Sequence, residues 1–289
     1  MRRPPAPARA RPARLYAGDA YDPAAGAGLL AWQRPGGIAL LRRDGVDGTL
    51  PGRHPALGGS VLAWLDGGAA VIADTATGAL RDRLPAPGAQ AIGVSDQILA
   101  WRAPDVEGRD VLWARALAGS EPVRLARAPR GGELGRPAVA GGLVIYHVAG
   151  VSGSRIVLVD TATGAKQVLR RTPGAQVSNP ATDGTQLLHV HAWGRQQELR
   201  LGPLTPGAAD DVIAVHPSSG RRDREHEPGR TRHRHRHRAP LPPIAPRGET
   251  QSLWSTALAP DGAYVTRIIA RAGQARRADI LRVTLPRGG

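Results

Sequence analysis

The sequence predicts an all-β fold, a single six-bladed β-propeller of four-stranded antiparallel blades, and three observations carry that prediction. The apolar word LLAW at 29–32 returns as VLAW at 61–64 and ILAW at 98–101. Ahead of each word stands a small turn rich in Gly, Pro or Asp: YDPAAGAGLLAW, HPALGGSVLAW and QAIGVSDQILAW. A second word, DTATG, follows in AAVIADTATGAL (69–80) and SRIVLVDTATGAK (154–166). Self-similarity at a period of about 40 residues marks a repeat architecture, and short strands separated by turns at that period match a propeller blade.

Each unit reads as inner strand, Gly/Asp turn, apolar strand, loop, apolar strand, D-x-x-T-G turn, outer strand. In GLVIYHV and RIVLVD the β-branched content and the short runs argue for strand rather than helix. Asp160 and Gly164 bracket a tight turn, since an Asp side chain bonds backbone N–H groups ahead of it and Gly accepts positive φ; Asp74 and Gly78 repeat the arrangement. The frame continues as RPAVAGGLVIY (136–146), NPATDGTQLLHV (179–190) and STALAPDGAYV (255–265), which makes six copies. The last unit ends near the C-terminus, so RLYAG at 14–18 is expected to supply its outer strand and close the ring. Closure removes the open edges of a stacked array. In each LAW word, Leu and Trp are expected to pack between neighbouring blades, with Ala leaving room on the inner side. Equivalent positions in a repeat imply equivalent packing, so Trp32, Trp64 and Trp101 read as core rather than as a ligand cage.

Composition bounds the function. The formal charge is +15, carried almost wholly by Arg, because Lys166 is the one lysine. With abundant Ala, Gly and Pro, this is the residue usage of a GC-rich genome, and it favours contact with acidic proteins, polyanions or anionic envelope surfaces without dictating one. The chain has no Cys, which excludes disulfides, Cys-ligated zinc and thiol catalysis. No apolar run approaches the roughly 20 residues that span a bilayer as a helix. Residues 1–13 are expected to form a disordered basic tail. The first fourteen residues lack the apolar core of an export signal, and the sequence assigns no compartment.

NPATDGTQLLHV and LAPDGAYV resemble the S-P-D-G-x-x-I/V blade motif of the TolB-like six-bladed propellers. RPAVAGGLVIY followed by IVLVDTATG is similar to the related envelope-protein repeat. The resemblance spans nearly the whole chain and rests on packing and turn chemistry. QAIGVSDQ lacks the Pro, and the Ser of S-P-D-G is absent from both best copies. The resemblance implies a non-enzymatic binding propeller, periplasmic or extracellular, and it transfers no catalytic residue.

The propeller is assigned to 14–289, interrupted at 218–249. Within that interruption, RRDREHEPGRTRHRHRHRAPLPPIAPRGE (221–249) has too few apolar residues for a core of its own and is expected to be a solvated loop with an extended Pro-rich return. Arg221, Arg222, Arg224, Arg230, Arg232, Arg234, Arg236 and Arg238 are its candidate contacts to a partner or polyanion, with salt-sensitive binding as the signature. It lacks aromatics for base stacking, which speaks against nucleic acid. His233, His235 and His237 share one face of an extended run, but the interleaved arginines oppose a cation, so no metal and no cofactor are expected.

No G-x-S-x-G elbow, H-E-x-x-H helix, P-loop or dinucleotide fingerprint is present, and no catalytic residue is assigned. GVSGS at 150–154 reads as a hairpin loop. Asp210 and Asp211 are neighbours whose side chains oppose each other on a strand. His54 and His147 read as packing residues, while His189 and His191 share a face. The function expected is a non-catalytic binding propeller, a protein–protein interaction scaffold of the bacterial envelope. A small-molecule or glycan-binding propeller, with or without hydrolysis, is one alternative and a polyanion-binding envelope protein another. Charged groups converging on the channel mouth would favour the small-ligand reading; a bland channel beneath a broad exposed face would favour the scaffold.

Overall fold

A computed structural model describes residues 13–26, 28–42, 45–172, 175–194, 196–217, 239–240, 249–271, 274 and 276–285. Among these, every regular element is a strand, and the strands form six separate antiparallel sheets in chain order around a ring. Blade 1 runs Tyr21–Gly26, Leu29–Arg34, Gly37–Arg42 and Gly45–Leu50. Blade 2 runs Arg53–Gly58, Val61–Asp66, Ala69–Asp74 and Leu80–Pro85. Blade 3 runs Ala91–Val94, Ile98–Pro104, Asp110–Ala116 and Val123–Arg127. In blade 4 the inner strand is split into Glu133–Leu134 and Ala138–Ala140, followed by Leu143–Gly150, Gly153–Asp160 and Lys166–Arg171. Blade 5 runs Gln176–Thr182, Gln186–Trp193, Gln196–Pro203 and Asp211–Pro217, and Ala239–Pro240 adds a short parallel pairing to its edge. Blade 6 runs Glu249–Ala259, Gly262–Arg271 and Arg277–Val283, and its fourth strand is Ala13–Ala17.

The ring is therefore closed by the N-terminal strand, as the sequence predicts. Ala13 faces Arg282, Tyr16 faces Ile280 and Ala17 faces Asp279. Asp279 ties the closure together. Its fully buried carboxylate accepts the Gly18 N–H (3.3 Å) and pairs with Arg267 (2.7 Å), Arg277 (3.4 Å) and Arg14 of the closing strand (3.5 Å). Burial pushes its pKa up, but the bond and charge of Arg267 outweigh that and hold it below the ordinary carboxylate range.

LAW is the second strand of its blade, and its alternation explains the word. Leu30 and Trp32 join Ala257, Ala259 and Tyr264 of blade 6, whereas Ala31 joins Leu62 and Trp64 of blade 2. Ala63 shares a cluster with Leu99 and Trp101, and Ala100 with Val144 and Tyr146. The sequence reading placed this Ala on the inner side. The structure places it on the face toward the next blade, because side chains of successive strand residues point to opposite faces. Each Ala thus makes space for the aromatic of the following blade. All three Trp side chains are buried, as core residues.

The D-x-x-T-G turns form as expected. Asp74 Oδ1 accepts the N–H groups of Ala76 and Thr77, both at 2.9 Å, and Asp160 Oδ1 those of Ala162 (2.9 Å) and Thr163 (3.2 Å). Gly78 and Gly164 both take φ +72°, which glycine adopts without strain.

Two outcomes follow. Asp279→Ala leaves Arg267 buried without its carboxylate and is expected to cost about 3–5 kcal/mol by urea denaturation. Ala63→Leu overfills the seat of Trp101 and is expected to cost about 1–3 kcal/mol.

Candidate functional site

Five of the six inner strands break register at the same depth. Pairing skips from Tyr21 to Ala24 in blade 1, Arg53 to Ala56 in blade 2, Ser178 to Ala181 in blade 5 and Leu253 to Thr256 in blade 6. In blade 4 the strand is interrupted between Leu134 and Ala138. Such bulges leave residues unpaired and re-aim their side chains. The residues so unpaired include Asp22, His54, Asn179 and Trp254, with Arg136 in the gap of blade 4. Asp22, His54 and Asn179 also hold positive φ (49°, 53° and 51°), uncommon for residues with a Cβ. Strained backbone of this kind gathers at binding and catalytic sites. Here four of the residues each precede a proline, in D-P-A, H-P-A, R-P-A and N-P-A.

These groups converge on the mouth of the central channel. His54 Nδ1 lies 2.7 Å from Asp22 Oδ2, and the carboxylate accepts from the ring. Arg136 reaches across from blade 4: its Nη1 lies 3.8 Å from Asp22 Oδ1, its Nε donates to the Ile92 carbonyl (3.3 Å) and its Nη2 donates to that of Pro55. One guanidinium thereby touches blades 1, 2 and 3. Burial raises the Asp22 pKa, but the His54 bond and the Arg136 charge override it and keep the carboxyl ionised below its usual range. Burial lowers the Arg136 pKa and Asp22 opposes that; the group remains a cation.

A second layer fixes the bulges. Ser255 Oγ accepts the Asp22 N–H (3.1 Å), Gln33 Oε1 the His54 N–H (3.1 Å) and His147 Nδ1 the Asn179 N–H (3.2 Å). Thr256 Oγ1 donates to the Asn179 carbonyl (2.5 Å). His54 and His147, which the sequence reading took as packing residues, are therefore parts of one polar ring. His147 is buried and positions Asn179, while His54 stands at the mouth. Beneath the ring the channel narrows to a cavity of about 60 Å³, walled by the Pro-Ala segments of the bulges.

The mouth has a catalytic look without a complete constellation. Asp22 orients His54 as a carboxylate orients a general base. Among the described residues, no hydroxyl is hydrogen-bonded to His54, and Ser255 Oγ is engaged by Asp22 and Thr266.

His189 and His191 do share a face, as expected, but it packs inside the ring. Both are buried, and His189 Nε2 bonds Asp210 Oδ2 at 2.9 Å. Asp210 is clamped by Arg170 at 2.6–2.9 Å, and Arg170 also donates to the carbonyls of Leu169, Pro203 and Thr205. Burial raises the Asp210 pKa, but His189 and Arg170 bring it down to about 2. The Asp210–Arg170 clamp is structural, while His189 Nδ1 and both ring nitrogens of His191 are buried without a hydrogen-bond partner among the described residues. Asp211 takes no part in it and pairs with Leu201 on the outer strand. The eight arginines Arg221, Arg222, Arg224, Arg230, Arg232, Arg234, Arg236 and Arg238 lie outside the described residues, as do His233, His235 and His237. No group of three metal-ligating side chains gathers among the described residues. No helix among them is long and apolar enough to cross a membrane.

No protein-family model matches the sequence, and no curated protein matches it. Solved structures do match in fold. Acylaminoacyl peptidase from Pyrococcus horikoshii is similar at TM-score 0.53 and 11% identity, over 93% of this chain and 46% of that one. A protein described as TolB from Agrobacterium tumefaciens is similar at TM-score 0.50 and 12% identity, over 81% of this chain and 79% of that one. TolB from Acinetobacter baumannii matches at TM-score 0.48 and 13% identity, over 94% of this chain, which spans 63% of that protein's length. At such identities the likeness is one of fold. The architecture is a TolB-like six-bladed propeller.

One pH dependence follows from the buried histidines. Burial first, then the charges of Arg200 and His189, bring the His191 pKa down to about 4 from the ordinary 6.5. The unfolded chain therefore takes up a proton as pH falls below 6.5 while the folded chain stays neutral until about pH 4, so stability drops across that window. His191→Gln is expected to flatten this part of the profile, by on the order of 1–2 kcal/mol at pH 5, in urea titrations from pH 7 to 4.5.

Proposed function

We propose that this chain is a non-catalytic binding propeller that grips another protein with the face surrounding the channel mouth. The observation that carries the reading is the ring of bulged, polar residues before proline, held in strained backbone around a channel too narrow to swallow a ligand. Small-molecule sites usually enclose about 300–1,000 Å³, far more than the cavity of about 60 Å³ below the mouth. A partner that presents a loop or an edge from outside fits such a surface better than an engulfed metabolite.

The surrounding face supports this. In every blade the turn joining second and third strands lies at the end where the inner strand enters, as the pairings Pro104–Asp110 and Gly150–Gly153 illustrate. Val106 and Val151, at the tips of two of these turns, are fully exposed. Trp254, on the bulge of blade 6, is 55% exposed. Exposed Trp and Val side chains on one face are candidate anchors for a protein partner. Pro217 and Glu249, which flank the arginine-rich segment, also open onto this face.

A second reading draws on the charge of the same ring. The Asp22–His54 pair with Arg136 beside it is a convergence of charge, and it favours a small acidic ligand seated on the mouth. Both readings use the same face.

Crosslinking and pull-down from native cells tests the proposal. The full chain is compared with Trp254→Ala/Val106→Asp/Val151→Asp, with Val123→Asp on the outer strand of blade 3, and with a deletion of 221–248. Loss of a captured protein in the triple variant but not in Val123→Asp is the expected result. Equal capture by the triple variant removes this face from the interface, and capture of no protein by the full chain overturns the scaffold reading.

A further inference from the structure

On the outside of the ring, blades 3 and 4 part to leave a cleft of about 390 Å³. That volume falls within the range of about 300–1,000 Å³ typical of small-molecule sites. Strand register lays out its floor. Blade 4 pairs Tyr146 with Val157 and Val157 with Val168, and two residues further along it pairs Val148 with Arg155. Residues directly opposed on neighbouring strands share a face. This face turns toward blade 3, because Tyr146, Val148 and Val157 cluster with Leu112, Leu125 and Ala128. Blade 3 walls the other side with Ala126, Arg127 and Pro129. At one end Lys166 spans the gap, its Nζ donating to the Leu125 carbonyl at 2.6 Å.

Two polar groups of this cleft are without the partner that their chemistry calls for. Tyr146 is only 3% exposed, and its hydroxyl bonds none of the described residues. Buried tyrosines ordinarily give that hydrogen to an acceptor. Burial raises the pKa of the phenol and the charge of Arg155 offsets only part of the rise, so the hydroxyl is a neutral donor. Arg155 stands exposed at the rim, with no ion-pair partner among the described residues. The outer strand sets Arg171 directly opposite it, and like charges so placed repel. Arg127 differs, because Asp105 (2.6 Å) and Glu107 (2.9 Å) neutralise it. No carboxylate is among the residues that line the cleft. Tyr146 and Arg155 are diagonal neighbours on adjacent strands, a separation of about 7–8 Å that long side chains bridge. One acceptor group can therefore take both donors.

We infer that this cleft binds a small organic carboxylate on a compact apolar body, with the head between Arg155 and Tyr146 Oη and the body over Val157 and Val168 against Pro129. The guanidinium supplies a charge-assisted, bidentate contact to the head, and the valine floor supplies burial of the body. The cleft is built from the outer strand of blade 3 and the second, third and outer strands of blade 4, so no inner strand contributes to it. Recognition here is independent of the channel mouth.

Calorimetric titration of the full chain with cyclohexanecarboxylate tests the inference. Cyclohexanecarboxamide is the neutral control, cyclohexylmethylammonium reverses the sign, and acetate keeps the head without the body. Saturable binding of one cyclohexanecarboxylate is expected, about tenfold or more tighter than the amide or acetate, with no binding of the amine. Arg155→Gln, a change at an exposed position, is expected to weaken the acid about tenfold and leave the amide as in the parent. Tyr146→Phe keeps the ring and removes the unpartnered hydroxyl, and is expected to weaken the acid about fivefold. Val168→Asp, at a position 44% exposed, is expected to abolish binding of the acid and decides the matter should Tyr146→Phe lose its cooperative melt. Arg136→Gln at the channel mouth is expected to bind the acid like the parent, which separates this site from the proposed partner face. Equal affinity for acid and amide, equal affinity for acid and acetate, no saturable binding of the acid, or parent-like binding by folded Arg155→Gln would each overturn the inference.

Discussion

Closure of the ring is the constraint on which the rest of the structure depends. Six blades, each burying both faces against neighbours, leave two exposed faces and an unpaired edge if the circle stays open. The chain resolves this by giving blade 6 its outer strand from the opposite end of the sequence, 261 residues from Asp279 at the Gly18 contact. The buried Asp279 carboxylate, shared by Arg267, Arg277 and Arg14, turns that junction from a strand pairing into a charge-locked one. With the ring closed, the inner strands are forced to a common depth around one axis. Residues scattered through the sequence at 22, 54, 136 and 179 then become neighbours.

The same geometry explains why polar chemistry gathers at one end of the channel. Inner strands crowd together near the axis, and Pro, Ala and Gly make up much of the wall there, with Leu57, Ile92, Val139 and Leu258 among the rest. The bulge relieves the crowding by turning two residues out of the ladder. Proline suits the second of them because it needs no hydrogen-bond acceptor for an N–H. The first then points to the mouth, where solvent and neighbouring blades accommodate a charge. Arg136 uses this position to span blades 1, 2 and 3 with one side chain, donating to the Pro55 carbonyl in the bulge of blade 2 and to the Ile92 carbonyl of blade 3. A stabilising cross-brace and a charged group at the mouth are here the same residue.

At the mouth, a net of hydrogen bonds that joins all six blades holds the strained backbone in place. At the seam of blades 6 and 1, Leu15 of the closing strand lines a concavity beside Gly28 and Gly45.

Much of the fold was legible in the sequence by itself. LAW and DTATG recur at blade period, and a recurring word in a repeat must recur in environment, so the number of blades, the strand order, the Asp-Gly turns and the closing role of residues near 14–18 were all determined before any coordinates. Equivalent positions in the repeat also marked Leu and Trp as core. They did not say which neighbour each residue meets, and Ala31, Ala63 and Ala100 turned out to seat the next blade's aromatic rather than relieve the inner side. The site was decided only by tertiary structure. The residue before each P-A carries the signal, as Asp22, His54, Arg136 and Asn179, yet each copy alone looks like turn chemistry. Their meaning depends on positive φ, on bulges and on a ring that brings positions 157 residues apart to one axis (22 to 179). Linear spacing cannot encode that convergence, because it exists only once six independently legible blades share a centre.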